Sequence, residues 1–234
     1  VAIGRHGRLV KLRGYGRLDW RDGFRSVTDG TVYDLASLTK VVATMPVILR
    51  LVAANRIGLD QPVGEILTEF GTDGEKAQVT IRRLLSHTSG FDSWGATFLE
   101  GSGPEAYLEA FAAAQPAKVP GEKVEYSCLG FITLGEVVRR VTGEPLAEVA
   151  RREVFAPLGM TDTMFTPPAA LRDRIAATEL GNRYEQDQFA TEPAVGPWRD
   201  YLLRGEVHDG NAWYGFGGLA ANAGLFGTAA DLAR

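Results

Sequence analysis

Ser37-Leu38-Thr39-Lys40 sets a serine three residues ahead of a lysine. On a helix, positions three apart share a face. A serine hydroxyl is a weak nucleophile until a base within hydrogen-bond reach takes its proton. A lysine amine stripped of water gives up its proton more readily and can be that base. The tetrad alone also suits a surface serine beside a solvated lysine. The run Val41-Val42-Ala43-Thr44-Met45 behind Lys40 weighs against that, because a cation leading into an apolar helix is unusual.

A second stretch is Pro120-Gly121-Glu122-Lys123-Val124-Glu125-Tyr126-Ser127-Cys128-Leu129-Gly130-Phe131. A Pro-Gly turn leads into a few extended residues and then a helix. Ser127 either caps that helix or offers its hydroxyl to a site. Tyr126 is either a core aromatic or a proton carrier.

The elements that must position these groups follow from the pattern around them. Residues 1–3 and 8–14 are expected as two strands joined by Arg5-His6-Gly7. A polar, Gly-rich loop follows to Thr31. Asp34 is expected to cap a helix over 35–55, apolar on nearly every side and therefore central and buried. Ser37 then falls in its first turn, where unpaired N–H groups favour developing negative charge. Pro46 should kink this helix. Thr80 is expected to cap a helix over 81–86, closed by His87-Thr88-Ser89-Gly90. Further helices are expected over 103–114, 129–141 and 145–155. Residues 166–200 read as irregular, and 205–228 as a Gly-dense loop packed against other backbone.

Composition narrows the classes. The chain has 234 residues, 45% hydrophobic, with a net charge of -4. That balance gives no footprint for nucleic acid, and no apolar run has the length of a membrane span. Cys128 is the single cysteine, so no internal disulfide forms. His6, His87 and His208 lack ligand-type spacing, so no metal site is expected, and no cofactor is called for.

Tyr33-Asp34-Leu35-Ala36-Ser37-Leu38-Thr39-Lys40 resembles the nucleophile motif of class C β-lactamase-like serine hydrolases. That group takes in class C β-lactamases, D-alanyl-D-alanine carboxypeptidases of the penicillin-binding kind, and related esterases. The stretches 57–63, 80–91 and 223–233 resemble further signatures of the group in order and spacing. Tyr126-Ser127-Cys128 stands where the group carries Tyr-Ser-Asn or Tyr-Ser-Asp. The resemblance implies that Ser37 is acylated, that Lys40 and Tyr126 share the proton transfers, and that the Ser37 N–H is one oxyanion donor. Which of Lys40 and Tyr126 is the base stays open. Ser127 and Cys128 are implied at the substrate. His87 lies in a structural signature and is read as structural. The implied substrate is an ester, a β-lactam or a D-alanyl, peptidoglycan-like peptide. The implied location is periplasmic or secreted.

Two departures qualify the resemblance. Cys128 replaces an amide or carboxylate with a thiol, a weak donor and acceptor. This favours an alternative, a catalytically impaired penicillin-binding or sensor-type relative. The group's third motif, Lys-Thr-Gly or His-x-Gly, is not found after Tyr126. The chain is therefore expected to continue past Arg234 by about 100 residues, or to take its remaining strands from a second chain. The expected fold is α+β: a mainly antiparallel sheet flanked by helices, with an inserted helical lobe. The expected division is 1–54 and 171–234 for the sheet lobe and 55–170 for the helical lobe.

Overall fold

His6 (φ 51°) and Gly7 (φ 71°) take the left-handed pair of conformations that a tight hairpin between right-twisted strands demands. They join β1 (Ala2–Arg5) to β2 (Arg8–Leu12) as an antiparallel ribbon with a bulge at Ile3/Gly4. The structure is a computed structural model that describes residues 1–21, 25–189 and 198–234. Part of the loop expected before Thr31 and part of the irregular stretch 166–200 lie outside these residues.

A second sheet has the order β3-β5-β4, antiparallel throughout. Its strands are β3 (Val32–Asp34), β4 (Met164–Phe165) and β5 (Leu225–Thr228). Every residue of β5 is buried. This corrects the reading of 205–228 as loop throughout. Strands this short do not display alternation, and a strand covered on both faces carries no polar side to reveal it.

Asp34 also departs from expectation, since it ends a strand instead of opening a helix at Leu35. Its Oδ1 accepts from the Ala36 N–H at 2.8 Å, and the Leu35 N–H reaches the Leu225 carbonyl at 2.9 Å. Ala36 is left-handed (φ 45°), so the chain turns sharply just before Ser37. Lys40–Thr44 then form a π-helical turn that runs into α1 (Met45–Ala53). Pro46 accounts for the change of pitch. Its ring would collide with the carbonyl four residues back in a continuous α-helix, and it has no N–H to offer. The wider turn, closed by the Met45 N–H on the Lys40 carbonyl, leaves Pro46 in the first turn of α1, where no donor is needed.

The helices after residue 80 follow the sequence more closely. α2 (Ile81–Leu85) is capped by Thr80, whose hydroxyl accepts from the Arg83 N–H at 3.3 Å. After α3 (Gly103–Ala113) comes α4 (Cys128–Thr142), closed by left-handed Gly143. α5 (Leu146–Ala150) passes through a π turn into α6 (Ala156–Leu158). Phe131, Ile132, Leu134, Val137 and Val138 of α4 share one buried cluster with Ala43, Val47, Ile48 and Leu51. Burying each of the larger side chains contributes about 1.5–3 kcal/mol. That packing fixes the helix bearing Lys40 against the helix that begins at Cys128. The stretch read as irregular contains α7 (Arg183–Phe189), and the described chain closes with α8 (Ala229–Leu232). The architecture is α+β, helices packed beside short antiparallel sheets.

Candidate active site

Ser37 sits exposed between the left-handed turn at Ala36 and the helix carrying Lys40. The Lys40 side chain lies beneath it, only 2% exposed. Its Nζ is 3.1 Å from Ser37 Oγ, 3.0 Å from the Asn222 carbonyl oxygen and 3.5 Å from Cys128 Sγ. All three partners are uncharged acceptors or a thiol. Thr39, fully buried one residue earlier, stiffens the turn. Its hydroxyl donates to the Ala36 carbonyl at 2.6 Å and accepts from the Leu225 N–H at 3.1 Å.

Tyr126 reaches the site by its ring. Its centroid is 4.8 Å from Lys40 Nζ, and the residue is 48% exposed. No hydrogen bond among the described residues joins its hydroxyl to Ser37 or Lys40. The loop after α2 explains its placement. His87 is left-handed (φ 58°), and its carbonyl accepts from the Glu125 N–H at 2.7 Å. Its Nδ1 accepts from the Ser127 N–H at 2.9 Å, and its ring stacks on Tyr126 with centroids 4.5 Å apart. The Gly121 N–H donates to the Thr88 carbonyl, and the Gly90 carbonyl accepts from Ala117 and Lys118. Residues 87–90 thus clamp the whole segment that carries Tyr126. The acceptor role of Nδ1 requires a neutral ring with its proton on Nε2. Burial first, and the Lys40 charge second, hold the His87 pKa below its ordinary value.

Ser127 is buried. Its hydroxyl donates to the Asp92 carbonyl at 2.8 Å and accepts from the Gly130 N–H at 3.1 Å, which caps α4. Of its two readings from sequence, the geometry realises the cap. Cys128 follows, buried, with its N–H on the Ser93 carbonyl at 2.7 Å. Burial pushes its thiol pKa up, and the Lys40 charge opposes this.

Two residues that pattern reading passes over, Asn222 and Asp209, complete the surroundings together with Asp34, which reads from sequence only as a helix cap. Asn222 is 0% exposed and gives Lys40 its carbonyl. Asp209 accepts from Asn222 Nδ2 at 3.3 Å and from the Ala212 N–H at 2.8 Å. Asp34 accepts from the His208 N–H at 2.9 Å, besides its bond to Ala36, and burial raises its pKa. The one signal available in sequence was the Asp209-Gly210-Asn211-Ala212 run, an Asp placed to cap a turn into apolar chain. Among the described residues no group of three or more His, Cys, Asp or Glu is placed to hold a metal. No helix among them is long and apolar enough to cross a membrane.

An exposed serine on a strained turn, with a buried lysine one turn on, defines a class when set beside known folds. The chain superposes with a TM-score of 0.74 on a class C beta lactamase, at 19% identity, covering 99% of this chain and 56% of that one. It superposes with a TM-score of 0.70 on the octameric penicillin-binding protein homologue from Pyrococcus abyssi, at 24% identity, covering 99% and 50%. The fold is the β-lactamase/transpeptidase-like one. In sequence, the chain is 33% identical over 222 residues to an Escherichia coli (strain K12) protein named "Putative D-alanyl-D-alanine carboxypeptidase", covering 88% of this chain and 50% of that protein. It is 37% identical over 184 residues to Esterase EstB of Burkholderia gladioli, covering 70% and 45%. The Beta-lactamase family model matches residues 1–234, and the chain belongs to that family. It spans about half the length of the curated relatives it matches.

Proposed function

We propose that the protein is a serine hydrolase in which Ser37 is acylated and Lys40 is its base. The observation that carries this reading is the set of three partners around the buried Lys40 amine. Once Lys40 has given up a proton, its amine has two N–H donors and one lone pair. The Asn222 carbonyl and the Cys128 sulfur take the donors, and the lone pair is left facing the Ser37 hydroxyl. Proton transfer from Oγ to Nζ frees Oγ to attack an acyl carbon. The resulting ammonium keeps the same three partners, so little rearranges. The Ser37 N–H is one donor to the oxyanion. As the tetrahedral adduct collapses, the ammonium returns the proton to the leaving group, directly or through Tyr126, whose ring borders Nζ. A water molecule then repeats the steps on the acyl-enzyme.

The substrate belongs to the acyl compounds whose carbonyl approaches an exposed serine: an ester, a β-lactam or a D-alanyl peptide. An ester is favoured by Cys128. The thiol faces Lys40 and is a poor partner for the amide side chain of a lactam or peptide. The same residue favours the second reading, a protein acylated once without turnover. A fluorophosphonate or penicillin probe should label the purified protein, and Ser37→Ala should abolish the label. Undiminished labelling of that variant would remove Ser37 from the mechanism. Hydrolysis of a short-chain nitrophenyl ester with multiple turnovers separates the hydrolase from the second reading.

A further inference from the structure

His208, Asp209, Gly210 and Asn211 are consecutive, and each is bonded to a different wall of the site. The His208 N–H goes to Asp34, which holds the turn before Ser37. Asp209 Oδ2 holds Asn222. The Gly210 N–H goes to the buried Glu185 at 2.9 Å, and a Cβ at Gly210 would stand 2.0 Å from Glu185 Oε2 and push that carboxylate aside. The Asn211 amide bonds the Gly95 carbonyl at 2.8 Å and accepts from the Thr97 hydroxyl at 2.9 Å. Cys128 hangs from Ser93, two residues before Gly95.

Followed around, these bonds close a ring. It runs from Ser37 through Ala36 and Asp34 to His208, across one peptide bond to Asp209, then through Asn222 to Lys40 and back to Ser37. Asn222 is the decisive link. Its carbonyl accepts from Lys40. One of the two partners that take the N–H donors of a deprotonated Lys40 is therefore Asn222 itself. Asp209 in turn takes an N–H of the Asn222 side chain, whose Oδ1 is buried without a partner. An amide with one orphaned oxygen keeps its orientation only while its nitrogen is firmly held.

We infer that Asp209 is a positioning residue for the base. Acting through Asn222, it aims the Lys40 lone pair at Ser37. This rests on the reading of Ser37 and Lys40 as nucleophile and base. Removing the Asp209 carboxylate frees the Asn222 side chain, and the carbonyl that Lys40 bonds shifts with it. The aim at Ser37 is lost, while the exposed surface that meets substrate is unchanged. A displacement of about 1 Å in such a pair costs up to about a hundredfold in rate.

The test measures single-turnover acylation by a nitrophenyl ester, with KM, for Asp209→Ala, Asp209→Asn, Asn222→Ala and the Asp209→Ala/Asn222→Ala double variant. Thermal midpoints accompany each. Asp209→Ala and Asn222→Ala should each slow acylation roughly ten- to a hundredfold with KM within about twofold. The double variant should lose no more than the worse single, because the two residues act in series. Asp209→Asn keeps one acceptor oxygen and should recover part of the loss. Losses that multiply, a loss confined to KM, or wild-type acylation rates in both single variants would overturn the inference. If Asp209→Ala does not fold, Asp209→Asn and Asn222→Ala decide by the same criteria. A wild-type protein that is never acylated refutes the nucleophile assignment instead, which is a separate outcome.

Discussion

His87 has to remain neutral to hold the Ser127 N–H, and its environment enforces this. Burial and the Lys40 charge hold its pKa below 6.5, the ordinary value it resumes on unfolding. Between pH 6.5 and the depressed folded value the unfolded state binds more protons. The His87 contribution is therefore complete above pH 6.5 and is lost as pH falls through that window. His87→Gln keeps an acceptor oxygen and removes the titration. Scanning calorimetry from about pH 7.5 to about pH 5 should give wild type a steeper fall in midpoint than the variant. The buried carboxylates of Asp34, Glu136 and Glu185, raised in pKa, act with the opposite sign and are common to both proteins. Equal slopes would clear His87 of any part in acid sensitivity. At this scale the sequence is legible where a residue's type suggests its chemistry. Ser37, Lys40 and Tyr126 declare themselves, and the structure brings Lys40 to Ser37 and the Tyr126 ring to Lys40. Asn222 is illegible because it serves Lys40 with a backbone carbonyl from 182 positions away. Asp34 reads as a helix cap because a short side chain bonding two residues on is the same local signal in a turn and in a helix start.

The loop after α2 acts as one element, and Gly90 is where it is least forgiving. Gly90 has φ 83°, and a Cβ there would stand 2.1 Å from the Lys118 carbonyl oxygen. Gly90→Ala must therefore push away the 117–127 segment, whose N–H groups dock on residues 87–90. The expected cost is about 1–3 kcal/mol in stability. Ester turnover should fall by more than the unfolded fraction accounts for, because Tyr126 rides on the displaced segment. Urea unfolding and turnover measured on one preparation would check this. If activity tracks the folded fraction alone, the loop is a scaffold without influence on Tyr126. Helices α3 and α4 are foreseeable because buried positions recur along two or more turns. β3, β4 and β5 are not, since two to four residues hold no period. The π turn at Lys40–Thr44 stays hidden because Pro46 announces a disturbance without saying which kind.

At the scale of the molecule, β3 has β5 as its partner strand, and Lys40 has Asn222. Ser37, Lys40 and the strand before them come from positions 32–40, and the groups that hold them from 208–228. Contacts so distant along the chain form late. This has a consequence in time. A ribosome adding roughly 5–20 residues each second exposes the segment with Ser37 on the order of ten seconds before its partners exist. On the proposed reading of Ser37 and Lys40, the serine has no aimed base during that interval. Ribosome-arrested chains ending near residue 215 should therefore resist a fluorophosphonate. Chains long enough for residues 222–228 to clear the ribosome should accept it. Equal labelling of the two would mean that the first forty residues make a reactive serine by themselves. Otherwise Ser37 stays unaimed while the chain is being made, and the order of its parts along the gene is its safety catch.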